Sequence, residues 1–199
     1  MYVWYVAISW AGDPAARVVS AAAMRNCRAN RPGWLFLFSG SNSDTFVPSD
    51  DNKRAMMMPV ILDEALKARI WAQMEASYPN EGGGFLLGEV RGKQVLISDV
   101  VGIPNTFAEE EQYHRYAMTP QNYERIEAQA EAQGLSLVGY YHSHPDALPV
   151  PSRFDRHYAW PNFIYLITSV ASGKAVNSRA WRLRADRSRF NEAALRIQN

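Results

Sequence analysis

The chain has 199 residues, of which 47% are apolar and 21% charged, and its formal net charge is +1 at pH 7. This length suffices for one well-buried domain of ordinary globular composition. A net charge so close to zero argues against nucleic acid or a membrane surface as a partner. Cys27 is the one cysteine. It excludes an internal disulfide and a thiolate metal site, and it is consistent with a reducing cytoplasm.

Residues 1–57 differ in character from the rest of the chain. The apolar run 3–11 is too short to span a bilayer, and no basic segment precedes it as in a secretory signal. A second apolar run, 34–38, is followed by sequence rich in Ser, Asn and Asp, which is typical of loops. We predict a poorly ordered extension over 1–57, with an upstream start-codon assignment as a hypothesis, and a folded domain over 58–199. Mass spectrometry of protein expressed from the natural gene would test the hypothesis, which an N-terminus at Met1 would contradict.

The next segment predicts a helix followed by two strands. Apolar residues recur at four-residue steps over 62–78, as in an amphipathic helix, and Pro79 ends the pattern. Glu81 follows directly and precedes three glycines, which allow close approach of another backbone. Residues 85–87 begin a strand, 89–92 a turn and 94–101 the next strand. The apolar positions of the predicted helix are Leu62, Leu66, Ile70 and Met74.

A polar connection, 105–116, precedes a second helix. Its three consecutive glutamates predict a solvated loop, with contact to a basic partner as the alternative. Thr119 as N-cap and Pro120 as first helical residue predict a helix that runs to Gln133 and is capped by Gly134. We expect Tyr123, Ile126 and Ala130 to face inward.

The C-terminal third predicts further strands around a short helix. Residues 135–141 and 162–168 have the composition of buried strands, and 152–160 that of a short helix stopped by Pro161. Residues 180–184 alternate as in an edge strand, and 187–199 are expected to form a closing helix. The order of elements predicts an α/β fold in which helices sandwich a mixed sheet.

Two histidines and a carboxylate surround the end of the strand 135–141. His142 and His144 are two positions apart, so on an extended chain both point to the same side, and Pro145 ends the strand. The loop 146–151 is long enough to return Asp155 to the same point. Three nitrogen and oxygen ligands with one open position are typical of a catalytic zinc site, so the pattern predicts such a site here.

Each part of this pattern also has an ordinary structural interpretation. Two histidines alone are more often core or surface residues, and Ser152-x-x-Asp155 fits a helix capping box. The capping box is compatible with metal binding, because an N-cap fixes the first helical turn and thereby directs Asp155. The joint pattern favours the metal site. His157 lies about 200° around the helix from Asp155 and should point away from the metal.

The sequence His142-Ser143-His144-Pro145, six residues and Ser152-x-x-Asp155 resembles the JAMM (MPN+) metalloprotease motif without a departure. That motif also has an upstream glutamate, and the segment 78–88 supplies Glu81 in a similar context. The resemblance covers about residues 59–184 and is closest to the stand-alone prokaryotic branch, which includes a sulfur-carrier-protein peptidase. It implies the JAMM/MPN fold, an architecture similar to that of cytidine deaminases.

The resemblance also implies site roles and a substrate class. His142, His144 and Asp155 would bind one zinc ion per chain, Glu81 would be the general base and Ser152 the oxyanion donor. The expected reaction is hydrolysis of a peptide or isopeptide bond after the C-terminal Gly-Gly of a ubiquitin-like or sulfur-carrier protein, with zinc-bound water as nucleophile. The tail of that protein would bind as an extended strand at a sheet edge.

Two alternatives remain, a non-catalytic MPN scaffold and a DNA-repair-associated relative with a similar histidine loop. A scaffold has no use for Glu81 beside an open metal site, and the basic helical N-terminal region of the DNA-repair relative is not seen. A nucleoside deaminase is excluded because the chain lacks the Pro-Cys-x-x-Cys sequence that holds its zinc.

Overall fold

The computed structural model describes residues 58–106, 112 and 120–199. Our predictions for residues 1–57, for the glutamates of the polar connection and for Thr119 as N-cap lie outside these residues. No helix within the described ranges is long and apolar enough to cross a membrane. The elements in chain order are β1 (Val60–Asp63), α1 (Glu64–Ser77), β2 (Gly83–Arg91), β3 (Gln94–Ile103), α2 (Pro120–Ala132), β4 (Ser136–Pro145), α3 (Arg153–Tyr158), β5 (Ile164–Ala171), β6 (Lys174–Leu183), β7 (Phe190–Ala193) and β8 (Leu195–Gln198).

The eight strands of the described residues form one mixed sheet in the order β7-β6-β5-β4-β2-β3-β1-β8. β4 runs parallel to β5, and β1 runs parallel to β3 and β8. The other neighbours are antiparallel. The predicted mixed α/β fold is confirmed. β4 lies inside the sheet, three strands from the edge strand β7 and four from the edge strand β8.

Helices cover the sheet on both faces. Alternate residues of a strand point to opposite faces, so Phe85 of β2 packs with Ile126 of α2, whereas Leu86 packs with Ile70 of α1. The first six residues of β2 are buried without alternation, as is typical of a strand covered on both sides. The inward positions predicted for α2 are confirmed, because Ile126 and Ala130 are buried and Tyr123 packs against them.

The first predicted helix begins two residues later than its apolar pattern. Residues 60–63 hydrogen-bond between β3 and β8 as strand β1, and Leu62 is buried there. Asp63 then caps α1, its Oδ1 accepting a hydrogen bond of 2.7 Å from the Ala65 amide. A buried leucine satisfies either structure, so its spacing alone did not distinguish strand from helix.

The C-terminal predictions were partly wrong. Residues 190–198 form β7 and β8 instead of a closing helix, because they pair with β6 and β1 respectively. β6 is consequently not an edge strand, and residues 180–183 are all buried. The predicted turn at 89–92 is also displaced: β2 continues to Arg91, and Gly92 adopts a φ of +62° at the turn into β3. Pairing between distant strands decided each of these points.

We expect Gly84→Ala to destabilise the fold strongly. A Cβ at Gly84 would lie 2.1 Å from the Val101 carbonyl oxygen and 2.7 Å from the Tyr141 hydroxyl. Relief of this overlap within the sheet should cost about 3 kcal/mol in the free energy of unfolding, measured with urea. Gly92→Ala is the control, since nothing lies within 4 Å of a Cβ there, and its positive φ should cost about 1 kcal/mol. Equal losses in the two variants would contradict the packing argument.

Candidate metal centre

The two histidines lie at the C-terminal end of β4, inside the sheet. His142 pairs with Gly83 of β2 on one side and with Ile167 of β5 on the other. His142 is 2% exposed and His144 9%. The Tyr140 ring stacks on the His142 ring with centroids 5.4 Å apart. The sheet therefore holds both imidazoles on one face in fixed directions.

Asp155 completes a three-residue group with these histidines. The His142 Nε2 atom lies 3.1 Å from the His144 Nε2 atom and 3.2 Å from Asp155 Oδ1, and His144 Nε2 lies 3.6 Å from Asp155 Oδ2. Within the described residues these three side chains, which we call the metal group, could hold one metal ion. Ligand atoms about 2.0–2.1 Å from a tetrahedral zinc ion are about 3.3 Å from one another, which is close to the observed spacing. The group therefore fits zinc or a similar divalent ion.

The loop between His144 and Asp155 is anchored through its carbonyl groups. Ser169 Oγ donates to Ala147 O at 2.6 Å, and Trp181 Nε1 donates to Pro149 O at 2.9 Å. Each bond satisfies a backbone group of the loop and joins it to β5 or β6. These contacts fix the path by which the chain returns to the metal group.

The first turn of α3 then directs Asp155. The Ser152 side chain accepts a hydrogen bond of 3.1 Å from the Asp155 amide, and Asp155 Oδ2 accepts one of 2.6 Å from the Ser152 amide. This is the reciprocal capping box expected from the sequence. The capping box and the metal group thus share one carboxylate. His157 is exposed and lies outside the group.

The hydrogen bond of His144 sets its tautomer. Its Nδ1 lies 2.9 Å from the Leu148 carbonyl oxygen, which can only accept, so Nδ1 carries the proton. The Nε2 lone pair is then directed at the metal group, as in metal sites where a carbonyl orients the imidazole. His142 Nδ1 is buried and has no hydrogen-bond partner among the described residues. Packing against Tyr140 therefore orients that ring.

The protonation of the group reflects its close contacts. Burial by itself would raise the pKa of Asp155, but the charges and hydrogen bonds of His142 and His144 outweigh it and hold that pKa well below its usual range. Burial would lower the pKa of His144, but the hydrogen bond and charge of Asp155 and the Leu148 carbonyl raise it. Since a ligating imidazole must be neutral, protons compete with a metal for this group.

Glu81 is buried immediately before β2. Its amide donates to the Gln112 carbonyl oxygen at 2.7 Å, and its carbonyl oxygen accepts from Asn105 Nδ2 at 3.2 Å. Burial raises the pKa of the Glu81 carboxyl well above its usual range, and the negative charge of Asp155 raises it further. Glu81 also lines a cavity of about 490 Å³ bordered mainly by polar side chains: Gln73, Ser77, Asn80, Asn105 and Gln112.

Backbone contacts join the Glu81 segment to β4. The Gly82 amide donates to Ser143 Oγ at 2.9 Å, and the Ser143 amide donates to Gly82 O at 2.9 Å. Gln73 Nε2 donates to Gly83 O at 2.8 Å, while its Oε1 accepts from the Tyr141 hydroxyl at 2.6 Å. Gln73 therefore connects the strand that follows Glu81 with the residue that precedes His142.

Several of these supporting residues were not predicted. Ser143 lies between the two histidines, and that position was a usable signal. A glutamine beside the apolar face of a helix and a tryptophan in a distant strand carry no such signal, because their partners are distant in sequence. The supporting residues in question are Gln73, Tyr141, Ser143 and Trp181.

Comparison with known proteins finds relatives of this chain in sequence and in structure. A curated relative, a desampylase of Haloferax volcanii, is 38% identical over 96 residues, which are 46% of this chain and 63% of the relative. A solved protein of Desulfitobacterium hafniense is 22% identical, with a TM-score of 0.62 over 70% of this chain and 93% of its own. A solved protein of Salinibacter ruber is 34% identical, with a TM-score of 0.55 over 71% and 92%. The matched segment thus spans less than two thirds of the curated relative.

Residues 63–184 match the family described as prokaryotic homologs of the JAB domain. The matched range contains β2 with Glu81 before it, β4 with both histidines, and the capping turn of α3. The structural likeness at 22% identity concerns the fold alone, whereas the family match covers more than half of the chain. The chain belongs to the prokaryotic JAB-domain family.

Proposed function

We propose that the protein is a metal-dependent hydrolase that cleaves a peptide or isopeptide bond after the C-terminal Gly-Gly of a small ubiquitin-like or sulfur-carrier protein. The observation that carries the proposal is the convergence of His142, His144 and Asp155, with ligand atoms within 4.8 Å of one another, while the buried carboxyl of Glu81 lies close enough for the charge of Asp155 to raise its pKa. A structural role alone would not require a buried carboxyl beside such a group.

The two histidines and Asp155 would hold the metal, and we propose zinc because imidazole and carboxylate suit it. The bound ion would supply Lewis acidity, polarising the scissile carbonyl group and lowering the pKa of a coordinated water to about 7. The capping box holds Asp155, and the Leu148 carbonyl holds His144. These two side chains are therefore already oriented before the ion binds.

Glu81 is the proposed general base. It would accept a proton from the attacking water at its carboxylate and pass that proton to the leaving amine. Its backbone bonds to Asn105 and Gln112 fix the main chain that carries it, and it lines the cavity of about 490 Å³ that a substrate segment could enter. Burial keeps the pKa of the Glu81 carboxyl above its usual value and so favours proton uptake by this carboxylate.

Ser152 is the proposed oxyanion donor. Its Oγ already accepts from the Asp155 amide, and a hydroxyl has one proton to donate as well. No acceptor for that proton is seen among the described residues, so it is available for a carbonyl oxygen of the substrate. Ser152 is exposed at the start of α3, directly beside the metal group.

The name of the desampylase relative supports a ubiquitin-like modifier as substrate. The tail of that modifier cannot add a strand beside residues 139–142 of β4, because β2 and β5 pair with both sides of β4 there. The free sheet edges of the described residues are three and four strands away. The tail would instead approach across the C-terminal end of β4.

The direct test is hydrolysis of a ubiquitin-like protein from the same genome that carries an amino acid after its Gly-Gly, and of the same protein joined to a lysine side chain. We expect release of the amine, its loss with a chelator, and its recovery when zinc is returned. Full activity in chelator would contradict metal dependence. One bound zinc per chain without turnover of either substrate would contradict the hydrolase proposal.

We expect Ser152→Ala to reduce turnover far more than stability. Loss of an oxyanion donor typically reduces kcat by about 10²–10³, whereas loss of an N-cap costs about 1 kcal/mol. Asp63→Ala is the matched control, because it removes the N-cap of α1 without approaching the site. If both variants lose similar stability and keep similar kcat, Ser152 acts only as a cap.

A further inference from the structure

The surface beside α3 is rich in arginine, although the whole chain carries a net charge of only +1. Arg153 and Arg156 lie on α3 on either side of Asp155, and both are exposed. The loop between β6 and β7 adds Arg184, Arg187 and Arg189 within six residues. We name these five side chains the arginine surface. Asp186 is the acid of the same loop.

Hydrogen bonds hold the helix and the loop together as one surface. Arg156 Nη1 donates to Ser188 O at 3.2 Å, and Arg187 donates to the carbonyl oxygens of His157 and Ala159 at 2.8 and 2.9 Å. The two bonds from Arg187 satisfy carbonyl groups at the C-terminal end of α3, where a cation is favourable. Arg187 thus has a structural role that also fixes the loop against the helix that carries Asp155.

The remaining charge of the surface is not neutralised. Among the described residues, its one ion pair joins Arg184 Nε to Asp186 Oδ2 at 3.6 Å. Arg153 and Arg156 form no ion pair with an acidic side chain there, and Arg187 is bonded to neutral carbonyls. Arg189 shares Asp186 with Arg184, since the charges of both arginines help to lower the pKa of that carboxyl. Five guanidinium groups thus face one exposed carboxylate. This balance exceeds that of the whole chain and favours an anionic partner.

The position of the surface indicates what that partner is. Asp155 points from α3 toward the metal group, and Arg153 is two residues away, about 200° around the helix. One helix diameter, about 10–12 Å, therefore separates Arg153 from the site, whereas Arg156 lies about 100° around the helix from Asp155. A folded protein whose C-terminal tail enters the site would cover this distance. The five arginines of this surface are fewer than the roughly 6–10 phosphate contacts of an extended nucleic-acid site.

We propose that the arginine surface docks an acidic face of the ubiquitin-like protein whose tail enters the metal centre. This inference rests on the proposed function and adds the electrostatic character of the partner. Exposed charges of this kind act mainly on the association rate and its salt dependence. Their attraction is screened over a Debye length of about 10 Å at 0.1 M salt, so the interaction should weaken as salt increases.

The test compares Arg153→Glu/Arg189→Glu with the charge-matched control Lys93→Glu/Arg196→Glu. The control residues lie at the β2–β3 turn and on the edge strand β8. The substrates are the intact ubiquitin-like protein, conjugated at its C-terminus, and a short peptide that ends in the same Gly-Gly linkage. Affinity for the intact protein is also measured in the Glu81→Gln background, which separates binding from turnover.

We expect the arginine double variant to weaken binding of the intact protein about tenfold at low salt, and the control less than twofold. Its loss of kcat/KM should be about tenfold larger for the protein than for the peptide, and the difference should shrink in high salt. Equal losses for protein and peptide, or salt-independent binding, would overturn the inference. So would loss of binding to an RNA or DNA oligonucleotide with protein binding unchanged. Failure of the wild-type protein to cleave both the intact protein and the peptide would instead overturn the proposed hydrolase function.

Discussion

Glu81→Gln should retain one metal ion per chain and lose about 10³-fold in kcat, because glutamine keeps the shape of the side chain but cannot accept a proton. The proposed metal ligands are His142, His144 and Asp155, so metal content should not change. The measurements are zinc per chain by elemental analysis and single-turnover hydrolysis of the conjugated substrate. Glu89→Gln is the control, since it lies near the far end of β2, the strand that Glu81 immediately precedes.

The same variant should not be less stable than the wild type. The folded-state pKa of Glu81 is raised, so the buried carboxyl contributes stability while protonated and loses it as pH rises from the usual carboxyl value through the folded pKa. In metal-free protein at neutral pH, Glu81→Gln should therefore unfold at an equal or higher temperature. A large loss of stability in this variant would assign Glu81 a structural role, and retained activity would refute its role as base.

Asp155→Asn should lose metal and activity together. Asparagine can still accept the hydrogen bond of 2.6 Å from the Ser152 amide, so the capping box is largely preserved. The negative charge that would bind the cation is removed, and we expect affinity for zinc to fall by at least about 100-fold. Hydrolysis should fall to the background rate at limiting zinc, and chelator should no longer lower the unfolding temperature, because no metal stabilises the folded state.

His157→Ala is the control for this prediction. His157 is a histidine on the same helix, yet it is exposed and lies outside the metal group. It should retain zinc, activity and the effect of chelator on the unfolding temperature. Full zinc content in Asp155→Asn, or loss of zinc in His157→Ala, would contradict the proposed ligand set.

The metal group could be predicted because its geometry depends on short-range spacing. Two residues of a strand at positions i and i+2 share a side, so His142 and His144 had to point together once β4 was extended. The capping box is equally local, because it is closed by residues three positions apart. The cap of α2 has the same character: Gly134 adopts a φ of +69° at the end of the helix, a conformation that glycine tolerates best.

Tertiary pairing decided the elements whose local pattern was ambiguous. Residues 187–199 have no strong period, and the pairing of β7 with β6 and of β8 with β1 determined that they are strands. Leu62 is buried as a strand residue for the same reason. Backbone hydrogen bonds across a sheet join residues far apart in sequence, so a local window does not contain the partner that stabilises them.

The sequence by itself determined the residue types of the metal group, the strand that carries two of them and the turn that directs the third. The tertiary structure decided how these parts are held: Gln73 joins β2 to β4, and Trp181 anchors the loop before α3. It also decided that Glu81 is buried, and that burial raises its pKa. Burial depends on all the elements packed around a side chain, whereas the spacing of ligands depends only on the segment that carries them.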